Sequence, residues 1–381
     1  ILDSTKQQRI LTLTDPQTGL EVKAVVTIYT DTAGVDWTIY FTNTSDKDTP
    51  IIEAVKALDV SMTAGPDVIP VLHRIHGSRN GIDDWHPFSE LISTGKHIEF
   101  GANGALSSYE TAPFFNLNWG SGGVITAIGW TGNWGSSVAY NENKELHSIA
   151  SMRNIHLKLH PGETIRTPRI MQLYWLGSDE LRSYNLFRRT MLNHIVPKIN
   201  GETIVPPIVH LGTAFYELNS SSEENVLSHV DSIKGLGFEY FWMDAYWMRG
   251  DVDHEAGPSF PNGIGNYGFP IERVPSSGFP RGLKPIGDRV HKENMGFVVW
   301  FGPEQVYPNT YLAQEHPEWV ISPAANGSGT FNLGIPEARE YMTRYMNTVI
   351  KEYGIDCWRT DSGPQLVHWE FNDAQIGPDR G

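Results

Sequence analysis

The sequence has almost no cysteine and no long apolar run. Cys357 is the single cysteine among 381 residues, so no disulfide can form within the chain. Cysteine usage therefore leaves the compartment undetermined, cytoplasmic or secreted. No apolar run approaches the roughly 20 residues that a helix needs to span a bilayer, so no membrane association is expected.

Basic residues are scarce. Lys and Arg number 29 against 44 Asp and Glu, which gives a formal charge of -15 and argues against nucleic acid or an anionic membrane as partner. No cluster of His, Cys and Asp has the spacing of metal ligands. His291 and His316 are expected on helix and loop surfaces, so neither a metal nor a cofactor is predicted.

Aromatic residues and glycine are plentiful. The chain has 12 Trp and 37 Gly. Aromatic faces stack on the C–H faces of sugars, so this composition fits a carbohydrate-binding protein. Large β-proteins also bury Trp in their cores, and composition alone does not separate the two.

Residues 1–175 have the pattern of an antiparallel β-sandwich. Val35, Trp37, Ile39 and Phe41 alternate with polar residues, the period of a half-buried strand. Other strands are predicted by similar patterns, and turn residues separate them: Val22–Tyr29 and Gly123–Trp130. The stretch His73–Trp85 is predicted as a loop, because it is too polar for a core and rich in residues that recognise ligands.

Residues 176–204 are interpreted as a linker helix between two domains. Leu181, Tyr184, Phe187 and Met191 form a helical stripe, and Pro197 ends it.

Residues 205–381 alternate between strands and helices. The strands are predicted as Ile208–Phe215, Glu239–Asp244, Phe297–Glu304 and Tyr353–Asp361. Three helices connect them. The first has a capping box of Ser221 and Glu224 and ends at Gly235, the second carries Leu283, Ile286 and Val290, and the third runs from Pro336 to Gly354. The order β-α-β-α-β-α-β predicts a parallel sheet with right-handed crossovers.

Three of these strands end in a carboxylate, at Asp244, Glu304 and Asp361. Acids at the carboxyl ends of barrel strands are typical of catalytic sites, because the loops there surround the substrate. This pattern suggests sugar chemistry. Four strands do not close a (β/α)8 barrel, so either the chain is the N-terminal part of a longer protein or the barrel interpretation is wrong. We favour the first.

Several motifs occur in an order and spacing that resemble the retaining α-galactosidases of glycoside hydrolase family 36, in the melibiase clan. They cover nearly the whole chain: Pro113-Phe-Phe, Gly129–Trp134, Phe187–Lys198, Phe279–His291, Trp300–Glu304 and His316–Trp319. The resemblance implies a β-supersandwich, a linker helix and a (β/α)8 barrel of which about the first half is present. The catalytic barrel would occupy residues 205–381. Family members often form tetramers, which allows for a homo-oligomer.

The resemblance also implies site residues. Asp361 occupies the position of the family's nucleophile, which forms a glycosyl-enzyme ester. The structural alternative is that Asp361 caps a loop or a helix after the strand. The acid/base is expected beyond residue 381. Asp244, Tyr246, Trp247, Trp300 and Glu304 would line the sugar site, with Trp85 or Asp84 reaching in from the His73–Trp85 stretch. Core packing is the alternative for the tryptophans.

The sequence departs from the family pattern at four places. Arg359 replaces a lysine that touches sugar hydroxyls, Met243 replaces the first of two adjacent aspartates, and Gly302 replaces a glutamate. An arginine is also missing from Asn326–Asn332. These changes predict a divergent pocket, suited to a larger, modified or N-acetylated α-galactoside.

Three functions remain open at this point. The favoured one is a retaining exo-α-glycosidase acting on terminal α-galactosides or α-N-acetylgalactosaminides. The others are a relative that transfers galactosyl units to another sugar, and a non-catalytic sugar-binding protein that kept the pocket.

Overall fold

The computed structural model describes residues 2–65, 67–103, 106–212, 221–248, 263–271, 278–322, 329–361, 368–369, 371–372 and 374. The chain divides into two compact units, the first extending to Ile204 and the second covering Val205–Gln375. Each unit is described by itself.

The first unit consists mainly of antiparallel strands. Their bounds are β1 (Lys6–Thr14), β2 (Leu20–Tyr29), β3 (Gly34–Asn43), β4 (Ile52–Glu53), β5 (Leu58–Thr63), β6 (Val71–Ile75), β7 (Pro87–Leu91), β8 (His97–Gly101), β9 (Phe114–Asn118), β10 (Gly122–Gly129), β11 (Trp134–Tyr140), β12 (Glu145–Met152), β13 (His156–Leu157), β14 (Thr164–Arg166), β15 (Arg169–Leu176), β16 (Lys198–Ile199) and β17 (Glu202–Thr203). Within the described residues, nine strands form a sheet in the order β1-β2-β3-β15-β10-β9-β6-β7 with β14 beside β3, and four form a second sheet, β5-β12-β11-β8.

The two large sheets enclose a common hydrophobic core, as expected for a β-sandwich. Leu117 and Val124 from the nine-stranded sheet belong to the same buried cluster as Val138 and Leu146 from the four-stranded one. Trp134 is fully buried at the start of β11, and its indole N–H donates to the carbonyl of Ser107. The ring thereby fills the core while its polar atom keeps a partner.

Two expectations for this unit were wrong in detail. His73 and Arg74 do not belong to a loop, since they pair with β7 inside β6. Asp36, one of the polar residues that alternate with Val35 and Trp37, was expected on the polar face of its strand but is 3 % exposed. The Asp36 carboxylate accepts two hydrogen bonds from the Arg169 guanidinium and one from the Tyr29 hydroxyl. A carboxylate with these partners tolerates burial.

The predicted helix after the sandwich is α1 (Glu180–Thr190), which belongs to the first unit. The Asp179 side chain caps it by accepting the N–H of Arg182. A π-helical turn, Met191–Ile195, follows and carries His194, whose Nε2 lies 3.0 Å from both carboxylate oxygens of Asp31.

The second unit alternates strands and helices. Its strands are β18 (Val209–Leu211), β19 (Tyr240–Met243), β20 (Gly296–Phe301), β21 (Gln305–Val306), β22 (Val320–Ile321), β23 (Gly329–Phe331) and β24 (Cys357–Thr360). Its helices are α2 (Glu223–Ile233), α3 (Lys284–Lys292), α4 (Tyr311–Glu315) and α5 (Pro336–Tyr353). Among the described residues, β18-β19-β20-β24 form a parallel sheet, and β21-β23-β22 form a small antiparallel one.

The helices bury their apolar stripes with one face of the parallel sheet. Val230 of α2, Val290 of α3 and Val349 of α5 are fully buried. Phe241 and Phe297 belong to the same cluster. Pro336 opens α5 and Gly354 ends it in the left-handed conformation, as predicted.

Three local predictions for the second unit differ from the structure. The residue that caps α2 is Ser222, whose Oγ accepts the N–H of Asn225, and not Ser221. The strand predicted to reach Glu304 ends at Phe301, because the chain then turns at Gly302-Pro303 and the N–H of Gln305 donates to the Gly302 carbonyl. The predicted strand from Ile208 begins at Val209, and its part beyond Gly212 lies outside the described residues.

Within the part of the chain that the structure describes, no helix is long and apolar enough to cross a membrane.

Candidate active site

The register of the parallel sheet aligns three polar or aromatic side chains. Met243 pairs with Val299, and Trp300 pairs with Arg359. Asp244, one residue beyond β19, therefore falls on the same row as Trp300 and Arg359. Since aligned residues of neighbouring strands point to the same face, these three side chains share the face of the sheet opposite to the helices.

Asp361 lies one residue beyond β24, and its N–H donates to the carbonyl of Phe301. Its carboxylate receives two contacts on the same oxygen. The Trp300 indole N–H donates to Oδ2 at 2.9 Å, and the Arg359 guanidinium forms an ion pair with Oδ2. A carboxylate held in this way is stabilised in its ionised form and fixed in orientation.

Arg359 is held from a second direction by an aromatic ring. Its guanidinium carbon lies 5.2 Å from the ring centroid of Trp242, within the range of a cation–π interaction. Trp242 was not among the residues predicted for the site. The sequence could have predicted this placement of Trp242, because a strand residue two positions before Asp244 points to the same face.

Asp244 is 9 % exposed. Burial raises the pKa of its carboxyl, the N–H of Ala245 and the Arg359 guanidinium oppose that rise, and the negative charge of Asp361 adds to it. The Ala245 N–H donates to Asp244 Oδ1 at 2.8 Å. A carboxylate that is partly desolvated and faces a second carboxylate gains from any ligand that donates hydrogen bonds to it.

Met243 is fully buried, and the alternation along β19 turns its side chain to the face opposite to Asp244. That the missing aspartate at this position removes a contact to the sugar stays a prediction.

Trp247 and Trp300 are largely buried, with 9 % and 3 % of their surface exposed, and both belong to the hydrophobic core of the second unit. The Trp247 indole N–H donates to the Trp300 carbonyl at 2.9 Å. These rings therefore support the end of β20, and Trp300 reaches the site through its N–H.

The turn after β20 carries Gly302 and Glu304. A Cβ at Gly302 would lie 2.9 Å from Cη2 of Trp300, so the indole occupies the space of a side chain at position 302. The Tyr267 hydroxyl donates to the Gly302 carbonyl at 2.8 Å and holds the turn. Burial raises the pKa of Glu304.

Two predicted site residues lie in the first unit. The Asp84 carboxylate accepts the Ser78 hydroxyl at 2.6 Å and the backbone N–H groups of Arg79, Asn80 and Gly81, so it closes a turn. Trp85 follows with a φ of +62° and 53 % of its surface exposed.

Some of the positions singled out in the sequence lie outside the described part of the structure. The side chain of Tyr246 is one of them, although its backbone belongs to a short 3-10 turn, Ala245–Met248. Residues 326–328 of the segment Asn326–Asn332 are others. No group of three or more His, Cys, Asp or Glu side chains among the described residues is placed to hold a metal ion.

Comparison with known proteins identifies the family of this chain. A family model described as Melibiase matches residues 166–375, more than half of the chain. The chain belongs to the melibiase family, in the form known as glycoside hydrolase family 36. The resemblance of the motifs to that family is thus confirmed.

Individual relatives agree. The α-galactosidase Mel36A of Lactobacillus acidophilus is 23 % identical over 96 % of this chain and 49 % of its own length. Alpha-galactosidase C of Emericella nidulans is 24 % identical over 69 % of this chain and 36 % of its own. The chain thus spans half or less of the length of these relatives.

Solved structures share the fold. The α-galactosidase of Lactobacillus brevis superposes with a TM-score of 0.74 at 20 % identity, over 94 % of this chain and 47 % of the other. A family 36 α-galactosidase of Geobacillus stearothermophilus, crystallised with stachyose, gives 0.72 at 17 % identity, over 93 % and 49 %.

The contact between Gly302 and Trp300 predicts that any side chain at position 302 displaces the indole. Gly302→Ala should lower the free energy of unfolding by about 1–3 kcal/mol through overpacking. It should also change the near-ultraviolet circular dichroism, because Trp300 leaves Asp361. Trp300→Phe, which keeps a ring but lacks the N–H, serves as reference for the lost hydrogen bond, and Trp319→Phe controls for loss of a tryptophan elsewhere. An unchanged dichroism spectrum in Gly302→Ala would contradict the assignment.

The raised pKa of Asp244 predicts a pH-dependent cost of folding. The folded state favours the protonated carboxyl, so this residue's penalty is absent below its ordinary pKa and grows as pH rises through the raised value. Asp244→Asn should therefore melt at a higher temperature than the wild type at about pH 7 and lose that advantage at about pH 3. Asp231→Asn is the opposite control, because Arg289 lowers the pKa of Asp231, so this variant should be destabilised at neutral pH. Equal melting of wild type and Asp244→Asn at both pH values would refute the argument.

Proposed function

We propose that the second unit is the first half of a (β/α)8 barrel, and that the protein is a retaining exo-α-glycosidase. Its substrates are terminal α-galactosides or α-N-acetylgalactosaminides, and Asp361 is its nucleophile. One observation carries the proposal: the carboxylate of Asp361, at the carboxyl end of a parallel strand, is held by the Trp300 N–H and the Arg359 guanidinium. Membership of the melibiase family and the names of the relatives support it.

The chemistry assigned to Asp361 is a double displacement. A carboxylate oxygen attacks the anomeric carbon, the bond to the aglycone oxygen breaks, and a glycosyl ester forms. Water then attacks the same carbon, releases the sugar and returns the carboxylate. Trp300 and Arg359 stabilise the negative charge of Asp361 before attack and again as the ester breaks.

The second carboxyl group of the mechanism is expected beyond residue 381. A retaining enzyme needs its acid/base roughly 5–5.5 Å from the nucleophile, with a raised pKa. From the resemblance to the family, we expect this residue on a later strand of the barrel. It protonates the aglycone oxygen and afterwards removes a proton from water.

Substrate binding is assigned to the groups around Asp361. Asp244 and Glu304 have raised pKa values because of burial, and sugar hydroxyls that donate to them offset that cost. Arg359 supplies a planar set of donors in place of a lysine's single ammonium, so the hydroxyl it reaches differs. From the resemblance, Tyr246, Trp247 and Trp300 are also expected to take part in sugar binding.

Trp85 is assigned to the substrate through its exposed ring, which offers a stacking surface for a sugar. Asp84 holds the turn that presents it. The protein's partner is thus an α-galactoside-like carbohydrate.

Asp361→Ala should reduce hydrolysis of an aryl α-galactoside by about 10³-fold or more, since it removes the nucleophile. The assay uses the longest available form of the chain and follows the first product by proton NMR, which should be the α-anomer in the wild type.

Asp356→Asn is the matched control for this loss. Asp356 precedes β24 at its amino end and accepts from the Phe297 N–H and the His291 ring, so its replacement should leave the rate within a few-fold. Near-normal turnover in Asp361→Ala, or a β-anomer as first product, would contradict the proposal. Sugar binding without turnover in the wild type would favour a binding protein.

A further inference from the structure

The first unit contains a cavity of about 510 Å³ between α1 and the strands β6, β7 and β9. Small-molecule sites in proteins span roughly 300–1,000 Å³. Fourteen residues line the cavity. The ones that matter for its chemistry are His73, Ser89, Phe88, Phe114, Glu180, Tyr184 and Phe187.

The cavity walls are held in place by hydrogen bonds. Asn116 of β9 donates to the Ser183 hydroxyl on α1 at 3.1 Å and accepts the Trp175 indole N–H at 3.0 Å. All three side chains are buried. The helix is thus fixed to the sheet beside the cavity. The cavity opens to solvent, since Leu181 in its lining is 72 % exposed, so a ligand can enter it.

Part of the cavity lining is aromatic. Phe114 from β9 and Phe187 from α1 have ring centroids 5.7 Å apart. Phe88 from β7 adds a third ring, against which the Arg74 guanidinium stacks at 4.6 Å. Such rings provide a surface for the C–H face of a ligand.

Another part of the lining is a row of polar groups in contact with one another. His73 Nδ1 lies 2.7 Å from the Ser89 hydroxyl, and its Nε2 lies 3.3 Å from a carboxylate oxygen of Glu180. The second oxygen of Glu180 accepts the Tyr184 hydroxyl at 2.8 Å.

The polar row carries one charge, on the carboxylate of Glu180. Burial lowers the pKa of His73 more than Glu180 raises it, so the ring is neutral at neutral pH. Burial raises the pKa of Tyr184 to about 12, so its hydroxyl keeps its proton. The guanidinium of Arg74 forms an ion pair with Glu90. The cavity therefore disfavours anions.

We propose that this cavity binds a neutral sugar ring of an oligosaccharide, as a site distinct from Asp361. A purely apolar ligand would remove water from Glu180 without replacing its hydrogen bonds, which is costly. A pyranose suits a lining that is partly polar and partly aromatic, because it has hydroxyls on its edge and an apolar face. The inference rests on residues of the first unit alone and does not depend on the role of Asp361.

The test uses the longest available form of the chain carrying Asp361→Asn, with raffinose as probe and hydrogen–deuterium exchange as readout. Raffinose should slow exchange in β6, β7 and α1. Glu180→Gln, which retains an acceptor for Tyr184, and Phe187→Leu should each weaken binding at these segments at least tenfold. Glu99→Gln, on an exposed position of β8, should not. Thermal melting verifies that each variant is folded.

The outcomes separate the two proposals. Protection only at β19, β20 and β24 would overturn the cavity site and leave the proposed function intact. Protection only at β6, β7 and α1 would support the cavity site and count against sugar binding beside Asp361. Competition of cyclohexanol with raffinose at equal affinity would mean an apolar pocket, and would overturn the proposal as well.

Discussion

The parallel pairing of β19, β20 and β24 is the constraint on which the candidate site depends. It puts Asp244, Trp300 and Arg359 on one row and the carboxylate of Asp361 just beyond it. This arrangement does not depend on the conformation of a loop, because the backbone register of the sheet sets it. The helices stabilise the sheet from the other face. Asp361 then receives its two donors from β20 and β24, whose positions are already determined.

Side chains buried on the face that the helices cover stabilise the register of the parallel sheet. A shift of one residue in β19 would turn Phe241 and Met243, both fully buried, towards the polar face and bring Trp242 and Asp244 into the core. The same alternation turns the Met243 side chain away from the face that carries Asp244. Gly302, in the turn after β20, leaves the space that the Trp300 indole occupies, and from there the indole N–H reaches Asp361.

Periodicity and capping predicted much of the fold. The stripe of α5, its start at Pro336 and its end at Gly354 follow from local chemistry. Other features depended on contacts that sequence spacing does not encode. Asp36 is buried because Arg169, 133 residues away, pairs with it, and the α2 cap falls on Ser222 although Ser221 fits the same pattern. Trp242 was missed for the opposite reason, since the alternation that places it beside Arg359 was available but not applied to it.

The most direct test of the central claim is covalent trapping on the longest available form of the chain. A fluoro-substituted α-galactosyl fluoride is suitable, because fluoride leaves without help from a general acid. Intact mass and peptide mapping then locate the adduct. The account predicts one adduct, on Asp361, and its loss in Asp361→Asn. An adduct on another carboxylate, or none on a folded protein that still hydrolyses α-galactosides, would contradict it.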